Sequence, residues 1–260
     1  MRGYVMLDTG SVKVFRPRTP RVGMRMVALL HGYGSDRNSW ASGASGDTGA
    51  LGQSALAARI AREGITCFAS NFGGPATWGI DSVVQASGQI DADAATAAAA
   101  LNYSVATDKV CMVGVSMGSL NTLRYMATQP SKVGSAVVIL PLVSMGDFYG
   151  NNKGGLASSV ATAWGTTFPT ALPSRSDPSL NVAAIATSGP LRGYYSSVDT
   201  LMTPALEPNF ASAMVAAGGN GAQCVFTQVD TTYGHSDRST AEVEAGWGDE
   251  IVRHLIAGGA

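Results

Sequence analysis

The chain has 260 residues, of which 45% are hydrophobic and 13% charged, a composition that buries a large core and is incompatible with a disordered tail. A formal net charge of −1 gives no electrostatic footprint for nucleic acid or for an anionic membrane surface. No run approaches the roughly 18–20 apolar residues of a membrane span, so neither a nucleic-acid partner nor a membrane span is expected.

The first residues, MRGYVMLDTGSVKVF, lack a basic-then-apolar leader and read directly as strand, which makes a cytoplasmic location the default. Residues 4–15 alternate apolar and polar around Asp8-Thr9-Gly10, the pattern of an antiparallel hairpin at a sheet edge. Residues 24–30, MRMVALL, form the first buried strand and run into His31-Gly32-Tyr33-Gly34. Residues 49–63 read as an amphipathic helix closed by Gly64, and residues 65–70 as a strand. After a loop over 71–79, the Ala-rich stretch 82–101 reads as one helix despite Gly88. Further strands are expected at 110–113, 133–140, 191–195 and 224–229, and further helices from about 117 to Pro130, at 205–217 and at 241–256.

Strand and helix alternate at the spacing of parallel crossover units, which predicts an α/β fold with a mostly parallel sheet covered on both faces. Neither an internal repeat nor an interdomain linker is visible, so residues 1–260 read as a single domain. The periodicity lapses only from 144 to 190, rich in Gly, Ser, Thr and Pro. A stretch this long without regular structure is expected to be functional. Its spaced apolar residues, among them Phe148, Leu156, Val160, Trp164, Phe168 and Leu172, suit a small cap that lines a pocket. Cys67, Cys111 and Cys224 each fall in a short apolar run and read as free, buried thiols.

The chemistry is concentrated in Lys109 to Tyr125, KVCMVGVSMGSLNTLRY. A short apolar run ends in Gly114-Val115-Ser116-Met117-Gly118, and a helical period with Leu120, Leu123 and Met126 on one side follows at once. A serine held at a sharp strand-to-helix corner needs small flanking residues, and the helix N-terminus beneath it favours negative charge. This G-x-S-x-G context resembles the α/β-hydrolase superfamily of serine esterases and lipases. HGYG, GVSMG and YGHSD occur in the order that the superfamily uses, and the resemblance runs from about residue 24 to the end.

The resemblance implies a Ser–His–acid triad with Ser116 as nucleophile. There are three histidines. His254 lies near the glycine-rich end of the last helix and is expected at the surface or as a helix cap. His31 sits in an HG motif where the family's histidine is structural. His235, in the loop after the last strand, is left as the general base. The chain order Ser, acid, His points to Asp199, ahead of Pro204, with Asp147 and Asp230 as alternatives. The oxyanion donors implied are the backbone N–H groups of Met117 and Tyr33, and Trp78 and Trp164 are candidate pocket residues. Neither metal-ligand spacing nor a dinucleotide fingerprint is present, so no metal and no cofactor are expected.

The expected reaction is hydrolysis of a small-molecule or lipid carboxylic ester through an acyl-enzyme, because an alkoxide leaving group demands least of the general acid. The Ala/Gly/Thr-rich composition and low charge also resemble esterases carried by actinobacteriophages, lysins or tail-associated proteins that attack lipid esters of the cell envelope. That alternative would make the protein virion-associated. An alternative of another class is a non-catalytic structural or binding protein on a hydrolase scaffold. The sequence leaves the oligomeric state open.

Overall fold

The computed structural model describes residues 3–41, 51–219, 223–229 and 232–260. The opening hairpin pairs β1 (Tyr4–Asp8) with β2 (Val12–Pro17), and β2 in turn pairs antiparallel with β4 (Cys67–Ser70). From there the sheet is parallel. It runs β4, β3 (Arg25–Leu30), β5 (Ala106–Val115), β6 (Val133–Ile139), β7 (Leu191–Ser196) and β8 (Cys224–Val229), giving eight strands in the order 1-2-4-3-5-6-7-8.

The continuous apolar runs are explained by burial on both faces. In β3 and β5, Val27, Leu29, Cys111, Val113 and Val115 point into one core, while Met26, Ala28, Leu30, Val110 and Met112 point into another. The first core is closed by α1 (Leu51–Arg62) and α9 (Asp237–Ala257). The second is closed by α3 (Gln89–Ala99), α4 (Met117–Thr128), α7 (Val182–Ala186) and α8 (Leu206–Ala216). All three cysteines are buried and free, and burial pushes their thiols up, Cys224 to about 11.

Three expectations are corrected. The helix expected over 82–101 is broken into α2 (Asp81–Val84) and α3, because Gly88 tucks against the carbonyl oxygens of Ser82, Val83 and Gln85, where any Cβ would collide. The stretch 144–190 is not without regular structure. It holds α5 (Met145–Gly150), α6 (Ala157–Ala163) and α7, all too short to show a period. The last helix begins at Asp237, four residues ahead of the expected start, so it follows His235-Ser236 directly.

Chain direction places the site. From β3 the chain moves to β4 on one side, and its next strand, β5, lies on the other side of β3. The loops leaving β3 and β5 therefore diverge, and the crevice beyond the carboxyl ends of these strands is where open α/β sheets bind ligands. A third apolar cluster lies at this end of the sheet. It joins Trp78, Met117 and Leu120 to Phe148, Val160 and Met202.

Candidate active site

Ser116 stands between β5 and α4 with φ 53° and ψ −118°, a left-handed backbone that a side chain rarely adopts. The surroundings hold it there. Its N–H donates to the Ile139 carbonyl at 3.0 Å, and its own carbonyl accepts from the Ser119 N–H at 2.8 Å. The flanking glycines are demanded by space. A Cβ at Gly114 would run into the Gly118 carbonyl, and one at Gly118 would lie 2.6 Å from the Leu30 carbonyl carbon and 2.8 Å from the His31 oxygen.

His235 arrives from the loop between β8 and α9. Gly234 turns that loop with φ +57° and brings it to the loop after β7, with its ideal Cβ position 3.0 Å from the Val198 carbonyl oxygen. The structure brings Ser116, His235 and Asp199 into one line. His235 Nδ1 lies 2.7 Å from Asp199 Oδ2, and His235 Nε2 lies 2.7 Å from Ser116 Oγ. An ionised carboxylate only accepts, so Nδ1–H donates to Asp199 and Nε2 is free to accept from the serine hydroxyl. The buried Asp199 is itself fixed, because its Oδ1 accepts the N–H groups of Leu201 at 2.8 Å and Met202 at 2.9 Å.

The other candidates lie elsewhere. Asp147 takes the Thr203 hydroxyl at 2.7 Å and the Asn151 amide at 2.8 Å and makes no bond to His235. Asp230 lies outside the described residues. His31 is buried, its ring nitrogens 2.9 Å and 3.2 Å from the carbonyls of Gly32 and Asn71. His254 corrects the surface expectation: it turns inward, with Nε2 3.0 Å from the Ala136 carbonyl, and burial holds its pKa below the usual histidine range.

Met117 opens α4, where N–H groups have no intrahelical partner. Gly32 passes close over the serine, with its ideal Cβ position 3.5 Å from Ser116 Cβ, which places the next residue, Tyr33, at the same corner. No acceptor among the described residues takes the N–H of Met117 or Tyr33.

A cavity of about 220 Å³ opens on Ser116 and His235. Trp78 is part of its wall, stacked on the Tyr33 ring at 5.0 Å and tilted against Phe148 at 5.4 Å. Trp164 is not in that wall. It stands behind Trp78, donating its indole N–H to the Trp78 carbonyl at 3.1 Å, and the guanidinium groups of Arg124 and Arg175 lie 4.9 Å and 5.6 Å from its ring. Trp78 is thus held at both ends, since its own indole N–H donates to Ser159 at 3.0 Å, and its φ is 46°. Sequence reasoning passed over Gln53, Leu201, Met202 and Ser236, which also line the cavity. For Ser236 the signal was its place beside His235, while the others carry no local signature.

Buried Glu207, in the first turn of α8, was also passed over. Burial, with Asp199 and Asp147 nearby, pushes its carboxyl up to about 8, and its Oε2 has no hydrogen-bond partner among the described residues. Among the described residues no cluster of His, Cys, Asp and Glu gathers to hold a metal ion, and no helix is long and apolar enough to cross a membrane.

Solved structures align along almost the whole chain. Esterase B from Lactobacillus rhamnosis matches with a TM-score of 0.68 at 14% identity, covering 100% of this chain and 84% of its own. The Pyrococcus furiosus esterase Pf2001 matches with a TM-score of 0.65 at 15% identity, covering 99% and 91%. An S-formylglutathione hydrolase from Agrobacterium tumefaciens matches with a TM-score of 0.64 at 13% identity, covering 100% and 97%. The chain has the α/β-hydrolase fold. No protein-family model matches the sequence, and no curated protein matches it. Within the α/β-hydrolase fold, Ser116 occupies the corner after the central strand, and the loops after β7 and β8 supply Asp199 and His235.

Proposed function

We propose that the protein is a serine hydrolase that cleaves a carboxylic ester through an acyl-enzyme. The observation that carries this reading is His235 bridging Ser116 Oγ and Asp199 Oδ2 at 2.7 Å on each side. Ser116 Oγ attacks the ester carbonyl carbon as its proton passes to His235 Nε2, and Asp199 stabilises the imidazolium formed. The carbonyl π electrons move onto oxygen, and the Met117 and Tyr33 N–H groups receive that oxyanion. On collapse the C–O bond to the alcohol breaks and His235 returns the proton to the alkoxide. Water then repeats the sequence on the acyl-enzyme and frees Ser116.

The fold shared with structures described as esterases and as an S-formylglutathione hydrolase supports the reading. We further read residues 1–260 as one domain whose segment 144–190 caps the site: Phe148 and Leu156 from it line the cavity, and Ser159 and Trp164 hold Trp78. A cavity of about 220 Å³ with an aromatic wall supports a short acyl group over a lipid-length chain. A fluorophosphonate probe should label the protein at Ser116. Ser116→Ala should lose both labelling and ester turnover, the latter by about 10⁴–10⁶ in kcat. Near-wild-type turnover by Ser116→Ala would overturn the mechanism.

A further inference from the structure

At the end of the sheet away from Ser116 the protein has a second cavity with a different chemistry. β2 runs antiparallel to β4, with Phe15 opposite Cys67, so Arg16, Pro17 and Arg18 pass beyond the amino end of β4. Arg18 continues the pairing with the first strand, its N–H donating to the Gly3 carbonyl at 3.0 Å. Side chains alternate along a strand, so Arg16 and Arg18 share one face of the hairpin with Val5, which stands opposite Arg16. Asn102 and Tyr103, from the connection between α3 and β5, complete the lining with Pro17 and Pro20 around a cavity of about 370 Å³.

The polar groups of this cavity are open to solvent. Arg16 is half-buried, Arg18 and Asn102 are exposed, and Arg16 Nη1 donates to Asn102 Oδ1 at 3.3 Å in an exposed hydrogen bond. A guanidinium only donates, so the Asn102 oxygen faces Arg16 and its Nδ2 is left as a donor. Neither that Nδ2 nor the remaining Arg16 N–H groups find an acceptor among the described residues. Arginines elsewhere are matched to carboxylates, Arg25 to Asp108 at 3.0 Å and Arg59 to Glu244 and Asp249 at 2.6 Å. Arg16 forms no ion pair among the described residues, and among them neither Asp nor Glu lines the cavity. The Tyr103 hydroxyl is already bonded to Thr66 Oγ1 at 2.6 Å, so the guanidinium and amide groups set the chemistry.

Two guanidinium groups with no carboxylate in the lining match a ligand of about two negative charges. A phosphomonoester carries about −1.5 to −2 near pH 7, and its three terminal oxygens accept from several directions, whereas a carboxylate offers two oxygens in one plane. The cavity leaves room for an organic part beside Val5, Pro17 and Pro20. Such a ligand is separate from the ester. β5 runs for 10 residues between the connection that carries Asn102 and the corner at Ser116, so at about 3.3 Å per residue the two places lie roughly 30 Å apart.

We propose that Arg16, Arg18 and Asn102 form a binding site for a phosphomonoester, remote from Ser116 and independent of the ester chemistry. The probe is glucose 6-phosphate, titrated by calorimetry at low salt, with glucose and acetate as controls. Glucose 6-phosphate should bind saturably and both controls much more weakly or not at all. Arg16→Gln should weaken that binding about 10–100-fold, and Arg18→Gln should weaken it in the same direction. Arg16→Lys keeps the charge but loses the planar fork, and should fall between wild type and Arg16→Gln. Urea midpoints check folding, and Arg18→Gln, at an exposed position past the end of β2, decides the matter if Arg16→Gln fails to fold. Vesicles of phosphatidylcholine with and without phosphatidic acid separate a lipid-borne phosphomonoester from a free one. Binding that requires phosphatidic acid and is lost in Arg16→Gln, with glucose 6-phosphate silent, supports the site with a lipid as its source. Affinity for the phosphomonoester unchanged in Arg16→Gln overturns the proposal. So does acetate binding as tightly as glucose 6-phosphate, or wild type that binds neither phosphomonoester.

Discussion

Gly118→Ala tests the corner without touching any group that reacts. The added Cβ would lie 2.6 Å from the Leu30 carbonyl carbon and 2.8 Å from the His31 oxygen, both backbone atoms. Carbon contacts are comfortable at about 3.5–4.0 Å, so α4 and the end of β3 must part by roughly 0.9–1.4 Å. Met117 opens α4 and Tyr33 lies in the loop that β3 leads into, so the shift changes the separation of the two N–H groups of the proposed oxyanion site. Misplacement on that scale costs about 10² in rate, and complete loss of one donor costs about 10²–10³. We expect kcat for p-nitrophenyl butyrate to fall about 10²–10³-fold, and fluorophosphonate labelling to slow in parallel. Gly246→Ala is the control. Its Cβ meets nothing within 4 Å inside α9, so it should keep full activity and gain up to about 1 kcal/mol of stability. A Gly118→Ala protein that folds and turns over within threefold of wild type would refute the claim that this close approach sets the geometry.

Two other perturbations follow from buried groups. Glu207 stays protonated in the folded chain up to about pH 8 but ionises near 4.5 when unfolded, so between these limits the unfolded state binds fewer protons. Its contribution to stability therefore falls as pH rises from about 4.5 to 8. The stability of Glu207→Gln relative to wild type should grow by about 1–4 kcal/mol from pH 5 to pH 8 in urea unfolding, and a constant difference would contradict it. Trp164→Phe keeps a ring between Arg124 and Arg175 but strips the donor from the Trp78 carbonyl. It should raise KM for butyrate esters about 3–10-fold with little change in kcat, whereas an unaltered KM would mean that Trp78 holds its place without this bond.

The parts of the fold visible in the sequence are those with local causes. The apolar runs of β3 and β5, and the glycines at 114 and 118, are dictated by burial and by contacts at one corner. The choice between Asp147 and Asp199 is not local, because each comes after a strand, Asp147 in α5 beyond β6 and Asp199 in the loop after β7. Sheet order bears on it: β7 pairs directly with β8, which leads to His235, while β6 lies one strand further away. His254 was misjudged because its place near a helix end says nothing about which face meets the sheet, and its carbonyl partners are 118 and 64 positions away. Trp164 was taken for wall because aromatic character alone cannot distinguish a residue that faces the cavity from one that braces the residue facing it. The Ala-rich period through Gly88 concealed a turn whose cause is backbone crowding.

The sheet order also determines how the site comes apart. His235 hangs from β8, which pairs with β7 alone, whereas Ser116 leaves β5, flanked by β3 and β6. An end strand bonded on one side opens more readily than an interior one. Fraying of β8 would withdraw the imidazole while the serine corner stayed intact. Catalysis therefore reports on the integrity of this edge of the sheet, and gentle denaturant should silence it while the buried Trp40 and Trp78 still give their folded signal.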